Sequence, residues 1–318
     1  VAGRLVMAFV MDAIESVDIA ADTTFALMLE AQRRGHELLY LQLQDLGVRG
    51  GRAVARAAPI SLRREPGRHF SLGEPRQLAL DEADFVFQRK DPPVNAEYAA
   101  ATQILSLCRR ALVWNDPRSL LSANEKLYAL HFADLMPATL VSREIPALLS
   151  FLEEQGGQMV VKPLDGKAGE GIFHLRPGDP NLHSILEQST AFGARWAMAQ
   201  AYLPEVRRGD KRILLLEGEP LGAVLRVPAD GESRANFHAG GRAARAGLDS
   251  GDHRIIERIA PRLRQDGLFF VGIDVIGGRL TEINVTSPTG LQEMNALDGA
   301  RYEERIIERI EALLARRG

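Results

Sequence analysis

The opening of this chain restricts its fold more than any other stretch. Residues 5–11 are an unbroken apolar run, residues 24–33 repeat apolar positions at helical spacing, and residues 36–43 turn apolar again. Strand, helix, strand in so short a length is a βαβ unit, in which the crossover helix forces the two strands to lie parallel. The Arg-, Gly- and Pro-rich stretch 47–77 predicts hairpin and loop. Residues 85–89 then read as a strand, 96–109 as a helix and 112–114 as a further strand, before Asn115-Asp-Pro117 breaks the pattern.

Beyond residue 123 the grammar changes. A short helix through Lys126 and Leu130 and another over 145–154 precede strands at 159–163, 172–175 and 196–202, with a helix at 182–188. Strands 211–216 and 221–227 meet at the turn Glu217-Gly-Glu-Pro220. A helix over 252–265, a hairpin, and an amphipathic helix over 303–316 complete the chain, with Ile306, Ile307, Ile310, Leu313 and Leu314 on one stripe. The expected class is α/β giving way to α+β, in units 1–123, 124–203 and 204–318.

Composition excludes several functions. The net charge is −3 and no basic run stands out, so nucleic acid is not an expected partner. No apolar stretch reaches the roughly 18 residues of a membrane span, and the start lacks the charged-then-apolar layout of a secretory signal, so the expected compartment is the cytoplasm. The lone Cys108 rules out an intrachain disulfide and reads as core filler on a helical stripe. Five lysines stand against 34 arginines. Where charge alone suffices this chain uses Arg, which singles out each Lys as a compact charge suited to one phosphate.

The segment Asp274-Val-Ile-Gly-Gly-Arg-Leu-Thr-Glu282-Ile-Asn284 carries the sharpest chemistry. Glu282 and Asn284 leave one face of a strand while Ile283 points to the other. Two carboxylates and an amide suit a hard cation such as Mg²⁺, with Mn²⁺ as a substitute. A two-residue turn at Gly277-Gly278 would pair Asp274 with Thr281 and put it on the face opposite Glu282, whereas a bulge or three-residue loop would restore a shared face. The shared face is expected, because a carboxylate aimed into the core is costly. An ordinary hairpin with exposed acids is the plain alternative.

Other segments carry weaker signals. Lys162-Pro-Leu-Asp165-Gly166 leads into Gly169 and Gly171, a Gly-rich hairpin tip whose N–H groups could cradle phosphates or form a mobile turn. Lys162 ends the preceding strand, and Lys126 could supply a second cation. Gln200-Ala-Tyr202-Leu203 leaves a strand where backbone groups could read an adenine edge, or where the chain merely exits. Asp210 could accept from ribose hydroxyls. Residues 228–242, rich in small residues, read as a lid bearing Arg234, His238 and Arg242. Arg212 and Arg226 stand on the strands before it.

In this order these pieces resemble the ATP-grasp ligases, and within them the bacterial glutathione synthetases. The resemblance runs from Met11-Asp12 to at least Pro288. It rests on Leu29-Glu-Ala-Gln-Arg-Arg-Gly35, Arg89-Lys-Asp-Pro-Pro93, Asn124-Glu-Lys-Leu127, Lys162-Pro-Leu-Asp-Gly166, Gly209-Asp-Lys-Arg212, Gly218-Glu-Pro220, Ala239-Gly-Gly-Arg242 and Leu280-Thr-Glu-Ile-Asn-Val-Thr-Ser-Pro288. It implies an ATP-grasp fold behind an N-terminal parallel-sheet domain, and ATP-driven joining of γ-glutamylcysteine to glycine through an acyl phosphate. By motif match, Lys126, Lys162 and the 166–171 hairpin would hold ATP phosphates, and Asp274, Glu282 and Asn284 would hold magnesium. Arg212, Arg226 and Arg234 would be catalytic, and Arg89, Asp91, Ser287 and Thr289 would bind substrate. A homotetramer or homodimer is implied too. Departures from the family pattern fall at Trp114-Asn-Asp116, Lys167-Ala-Gly-Glu170, Ala235 and Gly290. The rival readings are a ligase of the same mechanism acting on another pair, and a non-catalytic ATP-binding regulator. A dinucleotide oxidoreductase is disfavoured, since no Gly-x-Gly-x-x-Gly follows Met11.

Overall fold

The computed structural model describes residues 3–166, 169–229, 235–237 and 240–317. The expected βαβ unit is present. Strand β1 (Val6–Val10) feeds helix α1 (Thr23–Arg33), which returns to β2 (Glu37–Leu41) parallel to β1. Asp22 starts the helix by accepting from Phe25 N at 2.6 Å. Strands β3 (Leu46–Arg49), β4 (Arg52–Leu62), β5 (Phe70–Leu72) and β6 (Arg76–Ala79) form an antiparallel ribbon where the sequence suggests hairpin and loop. The inner face of β4 includes Ala53, Ala55 and Ala57, side chains too small to register as an apolar strand. Strand β7 (Phe85–Gln88) adds to β1 in parallel, and helix α2 (Ala96–Leu105) leads to β8 (Leu112–Trp114).

Helix α2 stops short of residue 109 because the Asp81 carboxylate captures the backbone N–H groups of Arg109, Arg110 and Ala111 at 2.8, 2.8 and 3.2 Å. Cys108 therefore lies beyond the helix, still half-buried against the core, and burial pushes its thiol up to about 12. As the thiolate is the reactive form, the folded protein should react negligibly with a disulfide reagent at neutral pH, and the unfolded chain rapidly with one equivalent. Thiol titration with and without denaturant checks this.

Asn115-Asp-Pro117 proves to be a helix start. Asp116 accepts from Arg118 N and Ser119 N, and Pro117 occupies the first turn of α3 (Pro117–Ser122). Asn115 bridges to the last third of the chain, donating to Phe270 O and Val285 O at 2.9 and 2.8 Å while accepting from Phe270 N. A second sheet follows: β9 (Thr139–Ser142), helix α4 (Ile145–Glu154), β10 (Met159–Pro163), β11 (Phe173–Leu175), helix α5 (Leu182–Ser189) and β12 (Ala197–Ala201). Its order is β11-β10-β12-β9, antiparallel throughout. Met159, Val161, Leu175 and Ala199 pack under α4 and α5. Strand alternation then turns Val160, Lys162, His174 and Gln200 to the opposite face.

The third sheet runs β15-β14-β13-β16-β17. It comprises β13 (Asp210–Leu216), β14 (Glu219–Val227) and β15 (Arg242–Arg245), then helix α6 (Ser250–Gln265), β16 (Phe270–Ile276) and β17 (Arg279–Asn284). Ile213, Leu215, Ile273, Val275 and Ile283 form a core with Ile255, Ile259 and Leu263 of α6. Helices α7 (Leu291–Asp298) and α8 (Tyr302–Ala315) then carry the chain back to its start. Ile306, Ile307 and Ile310 join the core of the first sheet. Arg34 of α1 pairs with Glu308 and Glu311 at 2.8 and 3.0 Å. The last helix thus packs on the first sheet, although the sequence places it with residues 204–318. No helix among the described residues is long and apolar enough to cross a membrane.

Candidate active site

The open face of the second sheet looks onto the third, and two adjoining hollows lie between them. The larger, about 320 Å³, is lined by Lys126, Gly166, Gly169, Arg212, Arg226, Glu282, Asn284, Ser287 and Thr289, among others. The smaller, about 110 Å³, is an apolar slot walled by Val160, Ile172, Leu203 and Ile276, with Lys162, Gln200, Tyr202, Asp210 and Asp274 along it. Glu282 lines both.

The bulge between β16 and β17 sets the acidic wall. Asp274 pairs with Glu282, and the register shifts immediately after it, so Thr281 is the extra residue. The shared face expected for Asp274 and Glu282 follows from this bulge, and the alternation along β17 adds Asn284 to it. Asp274 is fully buried. Arg212 grips it through Nε–Oδ1 and Nη2–Oδ2 at 2.5 and 3.0 Å, and Arg226 reaches Oδ2 at 2.9 Å. Burial alone would raise its carboxyl, but these guanidiniums outweigh burial and hold it well below the usual carboxylate range. Asp210, whose carboxyl burial raises, is ion-paired with Arg226 across β13 and β14 and lines the slot. Among the described residues no three His, Cys, Asp or Glu side chains form a metal cluster. The candidate set is two carboxylates and one amide.

The facing wall supplies cations. Lys162 on β10 is 6% exposed and touches Thr281 O at 3.3 Å, and burial lowers its pKa. Lys126, 4% exposed, bridges Gly166 O at 2.8 Å and Glu282 Oε1 at 3.1 Å. No helix surrounds Lys126. It sits in a turn fixed by Asn124, whose Oδ1 accepts from Lys126 N and Leu127 N while Nδ2 donates to Leu164 O. Gly166 must be glycine, for a Cβ there would lie 2.7 Å from Pro163 Cγ and 3.0 Å from Glu170 O. Gly171 folds with φ +68° against the same proline, and exposed Asp165 lines neither hollow.

The first sheet reaches the cavity through its strand ends. Asp91 lines it, accepting from the Ser287 hydroxyl, and its N–H donates to Asp12 at 2.9 Å. Arg89, expected at the cleft, instead lies behind its wall. It donates to Thr24 Oγ1 and Pro288 O at 3.0 and 2.9 Å and stacks over Phe87 and Phe270, so it fixes the 287–289 loop from beneath. Thr289 also binds through its carbonyl, which accepts from Arg212 Nη1 at 3.2 Å. Gly290 follows with φ +111°, a left-handed position suited to glycine.

Glu125 is the functional neighbour that the sequence reading omits. One carboxylate oxygen accepts from Val285 N, Thr286 N and Thr286 Oγ1 at 2.8 to 3.0 Å, pinning the loop after the acidic strand. Its position next to Lys126 was the available signal. His174, stacked on Tyr202 at 3.7 Å beside the slot, was equally unmarked. Of the expected lid, Arg234 and His238 lie outside the described residues, Asn236 and Phe237 line the larger cavity, and Arg242 opens strand β15.

Comparison with known proteins agrees with this architecture. The prokaryotic glutathione synthetase N-terminal domain matches residues 5–120, and the prokaryotic glutathione synthetase ATP-grasp domain matches residues 125–299. Glutathione synthetase of Synechocystis sp. is 45% identical over 95% of this chain and 97% of its own length, and that of Salmonella typhimurium 44% identical over 98% and 99%. Among solved structures, D-cycloserine synthetase DcsG superposes with a TM-score of 0.68 over 96% of this chain and 99% of its own at 17% identity. The ATP-grasp ligase PsnB, solved with minimal precursor, Mg and ADP, gives 0.62 over 98% of each at 15%. The chain belongs to the prokaryotic glutathione synthetase family and is an ATP-grasp ligase that makes glutathione at the expense of ATP.

Proposed function

We propose that the two hollows divide this ligation between them. The apolar slot takes the base and ribose of ATP, and the larger cavity takes the triphosphate end with γ-glutamylcysteine and glycine. The observation that carries this reading is the convergence on Glu282 of two buried ammonium groups and an acidic strand pair. The donor set fits a hard divalent cation, Mg²⁺ or Mn²⁺, held by Asp274, Glu282 and Asn284. When bound, such an ion supplies charge neutralisation for the phosphates.

The chain's own groups do the rest. Lys126 and Lys162 hold phosphate oxygens, and the backbone at Gly166 and Gly169 closes over them. The cysteinyl carboxylate attacks the γ-phosphorus, ADP leaves, and glycine's amine displaces phosphate from the resulting acyl phosphate. Arg212 and Arg226 stabilise the charge that develops in these steps, and Arg234 is proposed to join them. Ser287, Thr289 and Asp91 orient the substrate, and Arg89 keeps their loop in place. The enzyme is proposed to work in the cytoplasm as a homodimer or homotetramer, where reduction suits its single unpaired thiol.

Phosphate release from ATP should need γ-glutamylcysteine and glycine together. No stimulation by the pair would overturn this assignment. Because burial lowers the Lys162 pKa, its charge is lost at a pH below that of an ordinary lysine, about 10.4. ATP affinity should therefore fall as pH rises into the alkaline range, and the fall should be absent in Lys162→Arg, whose guanidinium stays charged. Titration calorimetry across pH checks this.

A further inference from the structure

The acidic wall is not ready to take a cation as it stands. Asp274 Oδ2 is crowded: it accepts from Arg212 Nη2 at 3.0 Å and Asn284 Nδ2 at 3.3 Å, and it is ion-paired with Arg226 Nη2 at 2.9 Å. A carboxylate oxygen offers two lone pairs, so these two hydrogen bonds occupy both, and the Arg226 charge beside them opposes an arriving metal. Alongside, two buried polar atoms have no hydrogen-bond partner among the described residues, Asp210 Oδ1 and Arg226 Nε. Both belong to one ion pair, in which Arg226 Nη2 already donates to Asp210 Oδ2. Leaving such atoms buried and unpaired is costly, and one small rearrangement would pair both.

We propose that Asp210 is a positioning residue that draws Arg226 away from Asp274 and so frees Asp274 to ligate the divalent cation. The inference rests on the cation reading given above. A shift of the Arg226 guanidinium would set Nε and Nη2 against the two Asp210 oxygens as a two-point fork, the strongest arginine–carboxylate geometry. It would satisfy both orphaned atoms and take the Arg226 charge off Asp274 Oδ2. The sheet register supports the exchange, since Asp210 faces Arg226 and Arg212 faces Asp274 in adjacent cross-strand pairs. Arg212 would remain on Asp274, so the carboxylate keeps one counter-charge while it gains a metal.

The test is the gain in ADP affinity produced by Mn²⁺, measured by calorimetry as the ratio of dissociation constants without and with the ion. Asp210→Asn should lose roughly tenfold of that gain, as expected for a residue acting through a metal ligand. Because the gain is a ratio within one variant, any change in ADP binding through the slot that Asp210 lines cancels from it. In an Arg226→Met background, where no exchange is needed, adding Asp210→Asn should cost nothing further. An Asp210→Asn variant with the full wild-type gain would overturn the proposal. So would a loss that persists undiminished without Arg226, since Asp210 would then act by its charge alone. Arg226→Met alone should keep at least the wild-type gain, which carries the test if Asp210→Asn fails to fold, and a lost gain there would overturn the proposal. A wild-type protein with no Mn²⁺ gain would sink the cation reading itself along with this proposal.

Discussion

Replacing Glu282 with alanine is expected to lower kcat by roughly 10³-fold or more while the protein melts nearly as the wild type does. The carboxylate sits on the cavity wall with a side-chain exposure of 20%, and its ion pair is with Lys126. Lys126 lines the larger cavity and keeps Gly166 O as an acceptor, so water there can take the place of the lost carboxylate. The neighbours Ile283 and Leu280, which carry the packing of β17, are untouched. What is lost is a negative charge between two ammonium groups, at the point where both hollows meet. Steady-state kinetics at saturating magnesium together with thermal melting checks this, and an unchanged rate would remove Glu282 from the site.

Asp274→Ala is expected to fail differently, losing both activity and about 3–5 kcal/mol of stability. Asp274 is 4% exposed in its side chain and compensates two buried guanidiniums, Arg212 and Arg226. Removing it leaves Arg212 with the Thr289 carbonyl and pushes both positive charges onto Asp210. Breaking one member of a buried ionic cluster strands the others in a medium that cannot solvate them. Urea denaturation should show the midpoint falling with little change in slope. Stability equal to wild type would mean that the cluster does not hold the third sheet together. The contrast between two acidic residues on one face follows from burial: Glu282 borders both hollows with 20% of its side chain exposed, whereas Asp274 lines only the slot at 4%.

Much of this was legible because the relevant signals are local. The βαβ start, the order of strands in the last third and the shared face of Glu282 and Asn284 all follow from periodicity over a few residues. The bulge that turns Asp274 to the same face is a choice between turn geometries, and the cost of burying a lone carboxylate decides it in favour of the observed register. What escaped the sequence depends on distant partners. Strand β4 reads as loop because its inner face is built of alanines, which become core only when other elements cover them. Helix α2 ends early because Asp81, remote in sequence, captures the chain. Pro117 looks like a break until Asp116 is seen capping the helix that it begins. Arg89 carries the motif of a cleft residue, yet its side chain turns under the loop to hold Pro288. Glu125 binds backbone 160 residues away, a pairing invisible to spacing.

The most direct test of the account is a crystal soaked with Mn²⁺ and a non-hydrolysable ATP analogue, read by the anomalous signal of the metal. The account places that signal against the side-chain oxygens of Asp274, Glu282 and Asn284, with the analogue's phosphates between it and the ammonium groups of Lys126 and Lys162. Manganese bound elsewhere, or phosphates lying outside the space between those two walls, would contradict it.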